Sequence, residues 1–132
     1  MTPNLKLSLI QLPLFWENAL KNRNHIEKYL KSLDKKSNIV LLPEMFNSGF
    51  TMNAMKVSET MTGPSIIWMK SWAEKLNTLL GGSLAIKEEG NFYNRFVIVS
   101  SEGVIAQYDK RHTFTLAKEN KSYTSGNDLG LF

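Results

Sequence analysis

The chain has 132 residues, 42% of them hydrophobic and 21% charged, with a formal net charge of +4. These values are typical of one soluble globular domain or part of a larger one. The absence of cysteine excludes disulfides and thiolate metal sites. His25 and His112 have no acidic partner at ligand spacing, and no apolar run is long enough to span a membrane. We therefore expect a soluble, cytoplasmic protein with no metal, no cofactor and no membrane contact.

The first half of the chain alternates strand and helix patterns. Residues 5 to 9 alternate leucine with polar residues, which predicts a strand with one buried face. Residues 18 to 33 have the apolar spacing of an amphipathic helix with a basic outer face. The continuous apolar run at residues 39 to 42 predicts a short, fully buried central strand. The long polar connection at residues 43 to 63 is of a kind that usually carries function or is mobile.

The second half begins with a predicted helix, which residues 62 to 65 introduce and whose apolar positions run from Ile66 to Leu76, and continues as strands. Residues 79 to 86 and 92 to 99 read as two strands joined by a turn, and a short third strand ends at Tyr108. A polar loop follows, and an apolar ending after this loop suggests a truncated domain. The order of elements predicts an α/β fold whose mixed sheet has parallel strands first and antiparallel strands later.

Part of the positive charge is concentrated in four lysines near the end of the first helix: Lys28, Lys31, Lys35 and Lys36. Basic patches attract nucleic acid or anionic lipid in some proteins. No nucleic-acid-binding motif accompanies these lysines, and a solvated helix face that runs into a loop explains them. We therefore expect no nucleic-acid partner. Nucleic-acid binding is the weakest of the three functional hypotheses, after the two given below.

Two charged residues follow predicted strands and are candidates for catalysis. Glu44 comes directly after the apolar run at residues 39 to 42, and the carboxyl ends of strands are where sites gather in α/β sheets. A carboxylate there suits a general base, although a loop glutamate near a helix start would look the same. Lys110 lies just after the last predicted strand and could stabilise an oxyanion, although a solvated basic run is the alternative.

The segments that contain these residues resemble the nitrilase superfamily of carbon–nitrogen hydrolases. The match lies in LPEMFNSGFTMN, residues 42 to 53, and YDKRHTFTLAKENKSYTSGN, residues 108 to 127. The resemblance is greatest to the omega-amidase branch, which acts on 2-oxo acid ω-monoamides. It implies an αββα sandwich, of which residues 1–132 would supply the N-terminal half as a single partial domain truncated on its C-terminal side. It also implies a small-molecule amide substrate and a homo-oligomer in the complete protein.

The resemblance assigns roles to particular positions. It makes Glu44 the general base, Lys110 the catalytic lysine and Glu119 a second, supporting glutamate. It places Phe46 and Asn47 in the loop that shapes the substrate pocket beside the base.

Four further positions are expected to support the site. Arg111 and His112 flank the catalytic lysine, and Asn94 and Arg95 look like framework positions on a strand. For Arg95 we expect a satisfied ion pair beneath the site.

The departure from the family is the missing nucleophile. The family's cysteine belongs on a strand-to-helix elbow downstream of the lysine loop, and this chain has no cysteine. Ser122, Thr124 and Ser125 do not lie in an elbow-like context and are not substitutes. We therefore predict that the chain alone is inactive, and that an incomplete sheet makes it prone to self-association. The alternative is a non-catalytic relative that keeps the fold and binds a ligand or a partner.

Overall fold

The computed structural model describes residues 3–33 and 37–131, which form one mixed sheet with helices. The sheet has five strands in the order β1-β2-β3-β4-β5, with the bounds β1 Leu7–Leu9, β2 Ile39–Leu41, β3 Leu79–Glu88, β4 Asn91–Ser100 and β5 Gly103–Asp109. The first three strands pair in parallel, and the last two pairings are antiparallel. The predicted α/β class and mixed sheet are confirmed.

The described helices are α1 Ala19–Ser32, α2 Ala54–Val57, α3 Pro64–Leu76 and α4 Glu119–Ser122, with a 3₁₀ turn at Thr115–Ala117. Helix α1 begins after Asn18, whose side chain accepts a hydrogen bond from the Lys21 amide. Helix α3 begins with a proline at its first position and is capped after Leu76 by Asn77, which has left-handed backbone angles. None of the helices in the described ranges combines the length and apolar character needed to cross a membrane.

Helices α1 and α3 pack on one face of the sheet and build the main core. Their buried apolar residues meet the side chains of the central strands in one cluster, which includes Ile26, Leu30, Met69, Val40, Leu80, Leu84, Val97 and Val99. Each such fully buried side chain contributes about 1.5–3 kcal/mol relative to exposure. The alternation of buried and less buried residues along β4 follows from this one-sided packing.

The opposite face of the sheet carries apolar side chains that remain accessible. Leu7 and Leu9 are 51% and 74% exposed, so the prediction that the leucines of the first strand are buried is wrong. In β2 only Val40 is buried, and its neighbours Ile39 and Leu41 are half-buried, so the expectation of a fully buried strand is wrong as well. The reason is the same for both strands, because α1 and α3 cover only the other face.

Strand directions bring several chain segments to one edge of the sheet. Strand β5 is antiparallel to β4, which is antiparallel to β3, so β5 runs in the same direction as β2. The carboxyl ends of β2 and β5 and the start of β4 therefore lie at the same edge.

Of the four clustered lysines, Lys35 and Lys36 lie outside the described residues.

Candidate active site

Glu44 lies just beyond β2 on a turn that leaves its side chain accessible and buries the two side chains that follow it. The Met45 amide donates a hydrogen bond to Ser83 Oγ at 2.9 Å, and the Phe46 amide donates to the Ser83 carbonyl at 3.1 Å. Met45 has a φ of 49°, a left-handed conformation that long side chains rarely adopt. This turn buries Met45 and Phe46 completely, whereas the Glu44 side chain is 50% exposed.

Lys110 follows β5 and is held by backbone hydrogen bonds on both sides. Its amide donates to the Asn94 carbonyl at 2.9 Å, and its carbonyl accepts from the Gly126 amide at 3.1 Å. Its Nζ atom donates to Glu44 Oε1 at 2.8 Å and lies 3.0 Å from Glu119 Oε2. The structure thus brings together three residues that the sequence separates widely.

Glu119 is the first residue of α4 and is completely buried. Its Oε2 atom accepts a hydrogen bond from the Phe114 amide, and its Oε1 atom accepts one from Asn94 Nδ2 at 3.1 Å. The same Nδ2 atom donates to Glu44 Oε1 at 2.8 Å. Glu44, Lys110, Glu119 and Asn94 therefore form one connected group, which we name the lysine cluster.

The charges in the lysine cluster stabilise one another. Burial lowers the pKa of Lys110, but its hydrogen bonds to Glu44 and Glu119 outweigh this effect and raise the pKa above its ordinary value. Burial raises the pKa of Glu119, but hydrogen bonds from the Phe114 amide, Asn94 and Lys110 together lower it below its ordinary value. Both groups are therefore held in their charged forms near neutral pH.

A cavity of about 680 Å³ opens beside Glu44 and Lys110, lined further by Phe50, His112, Thr113, Phe114, Thr115 and Leu116. Its volume suits a small molecule. Lys110 Nζ lies 5.1 Å from the centre of the Phe50 ring, and the Phe50 and Phe114 rings lie 6.5 Å apart. Within residues 3–33 and 37–131, no three His, Cys, Asp or Glu side chains are grouped so as to hold a metal ion.

Phe46 and Asn47, expected to shape the pocket, point elsewhere. The Phe46 ring stacks on Trp68 with the ring centres 5.9 Å apart. Asn47 Nδ2 donates to Glu59 at 3.1 Å and to Ser65 at 3.2 Å. Phe46 and Asn47 are both completely buried. The turn at Met45 directs them into the protein, so the structure does not bring them to the wall of the 680 Å³ cavity.

Sequence reasoning missed the aromatic lining of the cavity and the contacts of Asn94. Phe50 lies inside the segment used for the resemblance, but nothing in its spacing indicates that it packs beside Lys110. Asn94 precedes Arg95 on β4, so the two side chains point to opposite faces of the sheet, and this alternation was the available signal.

The flanking residues take different positions. His112 lines the cavity, whereas Arg111 is exposed and its amide donates to the Tyr108 hydroxyl at 3.2 Å. The expected ion pair of Arg95 is confirmed: its guanidinium bonds to Asp109 and Glu88.

Comparison with known families identifies the group to which the chain belongs. The family described as carbon-nitrogen hydrolase matches residues 6–129, which is nearly the whole chain. The chain is a member of the carbon–nitrogen hydrolase family. Among curated relatives, Omega-amidase YafV of Yersinia enterocolitica is 39% identical over 94% of this chain and 48% of its own length.

Solved structures place the carbon–nitrogen hydrolase chain in the nitrilase superfamily fold. The protein XC1258 from Xanthomonas campestris, a CN-hydrolase superfamily protein with an arsenic adduct in its active site, matches with a TM-score of 0.89 and 33% identity, covering 94% of this chain and 47% of that one. Nit3 from Saccharomyces cerevisiae, a member of branch 10 of the nitrilase superfamily, matches with a TM-score of 0.79 and 25% identity. The chain thus spans about half the length of these relatives.

Proposed function

We propose that this chain supplies the general base and the catalytic lysine of an omega-amidase-like enzyme. The substrate would be the terminal amide of a 2-oxo acid monoamide, and the products a 2-oxo dicarboxylate and ammonia. The observation that supports this most directly is the contact of Lys110 Nζ with both Glu44 and Glu119 beside a cavity of about 680 Å³. The nucleophile would be a cysteine outside these 132 residues, which contain none.

In the proposed reaction the cysteine sulfur attacks the amide carbonyl while Glu44 takes the thiol proton. The amide oxygen becomes negative in the tetrahedral intermediate and is stabilised by Lys110. Glu44 then returns the proton to the departing nitrogen, which leaves as ammonia and yields a thioester. Glu44 next removes a proton from water, which attacks the thioester, and the acid and free thiol are released.

Lys110 has the donor capacity that this mechanism needs. An ammonium group carries three N–H donors. Two of these point to Glu44 and Glu119, at 2.8 and 3.0 Å. The third is available to a substrate oxygen in the cavity, where a fixed positive donor stabilises developing negative charge. Glu119, fully buried, would hold the lysine in place and would not meet the substrate.

The first test uses the purified 132-residue chain. We expect no release of ammonia from a 2-oxo acid ω-monoamide above the level of a Glu44→Ala variant. In the catalytic triad of a serine protease, removing the nucleophile lowers the rate on the order of a millionfold. Ammonia release well above the Glu44→Ala level would contradict the assignment of an external nucleophile.

The second test asks for the nucleophile itself. We expect the gene beyond the codon for Phe132 to encode a cysteine at a strand-to-helix elbow, and a protein extended to include it to release ammonia. Glu44→Gln and Lys110→Met should each abolish that activity, whereas Lys121→Met, at an exposed position of α4, should preserve it. An extended protein with a cysteine there but without activity would overturn the proposal.

A non-catalytic role is the second candidate, and the absence of cysteine is the observation that favours it. In that case the cavity beside Glu44 and Lys110 would bind an amide or a partner without chemistry. The two candidates differ in a simple measurement: a gene that encodes no cysteine downstream, together with binding of the 2-oxo acid amide that Lys110→Met weakens, would favour binding over hydrolysis.

A further inference from the structure

Asn94 occupies a position that the proposed mechanism does not explain. It lies on β4, is 2% exposed, and donates from one Nδ2 atom to carboxylates of two other segments. An amide nitrogen has two N–H donors, so this geometry commits both of them. Its partners Glu44 and Glu119 are also the partners of Lys110, so a neutral group and a cation both join the same pair of carboxylates.

The two oxygens of Glu44 have different surroundings as a result. Oε1 accepts hydrogen bonds from Asn94 and from Lys110, each at 2.8 Å. Oε2 receives no hydrogen bond from any residue that the structure describes, on a side chain that is half exposed and lines the cavity. An oxygen that already accepts two strong hydrogen bonds is a poor site for a proton, because protonation would break at least one of them. Of the two oxygens, Oε2 is therefore the one that stays available to accept a proton.

Lys110 alone would not produce this difference. Its ammonium group is a compact charge at the end of a four-carbon stem, and its three equivalent donors do not impose a plane on the carboxylate that accepts from them. Asn94 is short, buried and attached to the central part of the sheet, so the direction of its N–H groups is set by the backbone of β4. A planar amide of this kind fixes the rotation of the Glu44 carboxylate, whereas the lysine supplies charge.

We propose that Asn94 is a positioning residue that fixes Glu44 Oε1 and thereby makes Oε2 the oxygen that exchanges protons with the nucleophile, the leaving nitrogen and water. This assignment rests on the proposed function in naming those proton partners. The hydrogen bonds themselves are properties of the 132-residue chain and can be measured without turnover.

The test is nuclear magnetic resonance of the uniformly ¹³C,¹⁵N-labelled chain. Scalar couplings across hydrogen bonds should link Asn94 Nδ2 to the carboxyl carbons of both Glu44 and Glu119 at neutral pH. On acidification, the coupling to Glu44 should persist after the Glu44 carboxyl carbon shows protonation, because the proton is on Oε2. Absence of the Glu44 coupling at neutral pH, or its loss as Glu44 protonates in the folded chain, would overturn the proposal.

Two variants keep the test decisive if the chain unfolds before Glu44 is protonated. Asn94→Leu keeps the branched shape at Cγ and has no donor, and we expect the Glu44 carboxyl carbon to shift at neutral pH towards the value of a freely rotating carboxylate. Asn91→Leu, at an exposed position of the same strand, is the matched control and should leave that signal unchanged. A Glu44 signal unmoved in folded Asn94→Leu would refute the positioning role.

These results are separable from those of the amidase assays. Loss of the Asn94 couplings would leave the amidase proposal standing with another explanation for the geometry of its base. An inactive extended protein would leave intact the measured couplings and their preference for one oxygen of Glu44.

Discussion

The two faces of the β4–β5 pair carry the same kinds of charge in two different arrangements. On the helix-covered face, Arg95 lies between Asp109 and Glu88, with its nitrogens 2.6 and 2.9 Å from their oxygens. On the other face, Lys110 lies between Glu44 and Glu119, at 2.8 and 3.0 Å. Each arrangement has one cation and two carboxylates, and the two meet in sequence where Asp109 of the first precedes Lys110 of the second. We name the first the arginine cluster.

The difference between the clusters lies in how completely their oxygens are bonded. In the arginine cluster both oxygens of Asp109 and both oxygens of Glu88 accept hydrogen bonds from the guanidinium. In the lysine cluster both oxygens of Glu119 accept hydrogen bonds, but among residues 3–33 and 37–131 only Oε1 of Glu44 finds a donor. We call a cluster saturated when every carboxylate oxygen in it accepts a hydrogen bond, and unsaturated when one does not. A saturated cluster stabilises a fold, whereas an oxygen that accepts no hydrogen bond and faces a cavity can take part in chemistry.

Loss of the arginine cluster is expected to have the largest effect on the free energy of unfolding. Arg95 is 2% exposed, and Arg95→Met would leave two carboxylates without their cation. We expect the free energy of unfolding to fall by about 3 kcal/mol, the lower end of the range for breaking a buried ion pair by removing one partner. Urea denaturation measures it. Arg111→Met, at an exposed neighbouring position, is the control, and an equal loss in both variants would contradict the prediction.

The next largest effect is expected from Lys110→Met. This change removes the cation from the fully buried carboxylate of Glu119, whose remaining donors in the described part of the chain are the Phe114 amide and Asn94. We expect a loss of about 2 kcal/mol in the free energy of unfolding, since hydrogen bonds to charged groups contribute about 1.5–3 kcal/mol. The same urea series measures it, with Lys121→Met as the matched control. No loss would mean that the lysine is not required to hold Glu119.

Acidification should lower the free energy of unfolding by a smaller amount. One carboxylate of each cluster is responsible. The hydrogen bonds from Arg95 lower the pKa of Glu88, and that of Glu119 is also lowered, both from an ordinary value of 4.5. A group whose pKa is lowered on folding stabilises the folded chain above its unfolded pKa and loses that contribution as pH falls through its folded pKa. The free energy of unfolding should therefore decrease below about pH 4.5.

Single substitutions separate the two contributions to this acid sensitivity. Glu88→Gln and Glu119→Gln should each reduce the slope of unfolding free energy against pH between about pH 4.5 and pH 3, measured by urea denaturation across that range. If neither variant changes the slope, the two clusters are not the source of the acid sensitivity.

Local patterns predicted the elements well but did not predict what packs on each face of the sheet. The apolar spacing over residues 18 to 33 located α1 to within about one residue at each end, and the apolar positions from Ile66 to Leu76 located α3, because helix periodicity is a local property. The burial of the first strand was predicted wrongly, because alternation identifies an apolar face but not whether another element covers it. Leu9 shows this: it fits the pattern and is 74% exposed.

The candidate site was predictable to a similar degree. Glu44 and Lys110 could be proposed because each follows a strand within a segment that resembles a known family. The contacts of Asn94 could not be predicted from the sequence, because its partners are 50 and 25 residues away and the pairing depends on the register between strands. Phe46 was expected at the pocket from its place beside the base, but the positive φ of Met45 is not visible in the sequence and turns it into the core.

The smallest expected effect on stability is that of Glu44→Gln, and it would sharpen the comparison most. Glutamine keeps an acceptor for Asn94 and Lys110 at the Oε1 position and removes one of two carboxylates that share a single cation. Because the side chain is 50% exposed, we expect the free energy of unfolding to change by less than about 0.5 kcal/mol or to rise slightly. A loss as large as that of Arg95→Met would make Glu44 a structural ion-pair partner, and the distinction between a saturated and an unsaturated cluster would fail.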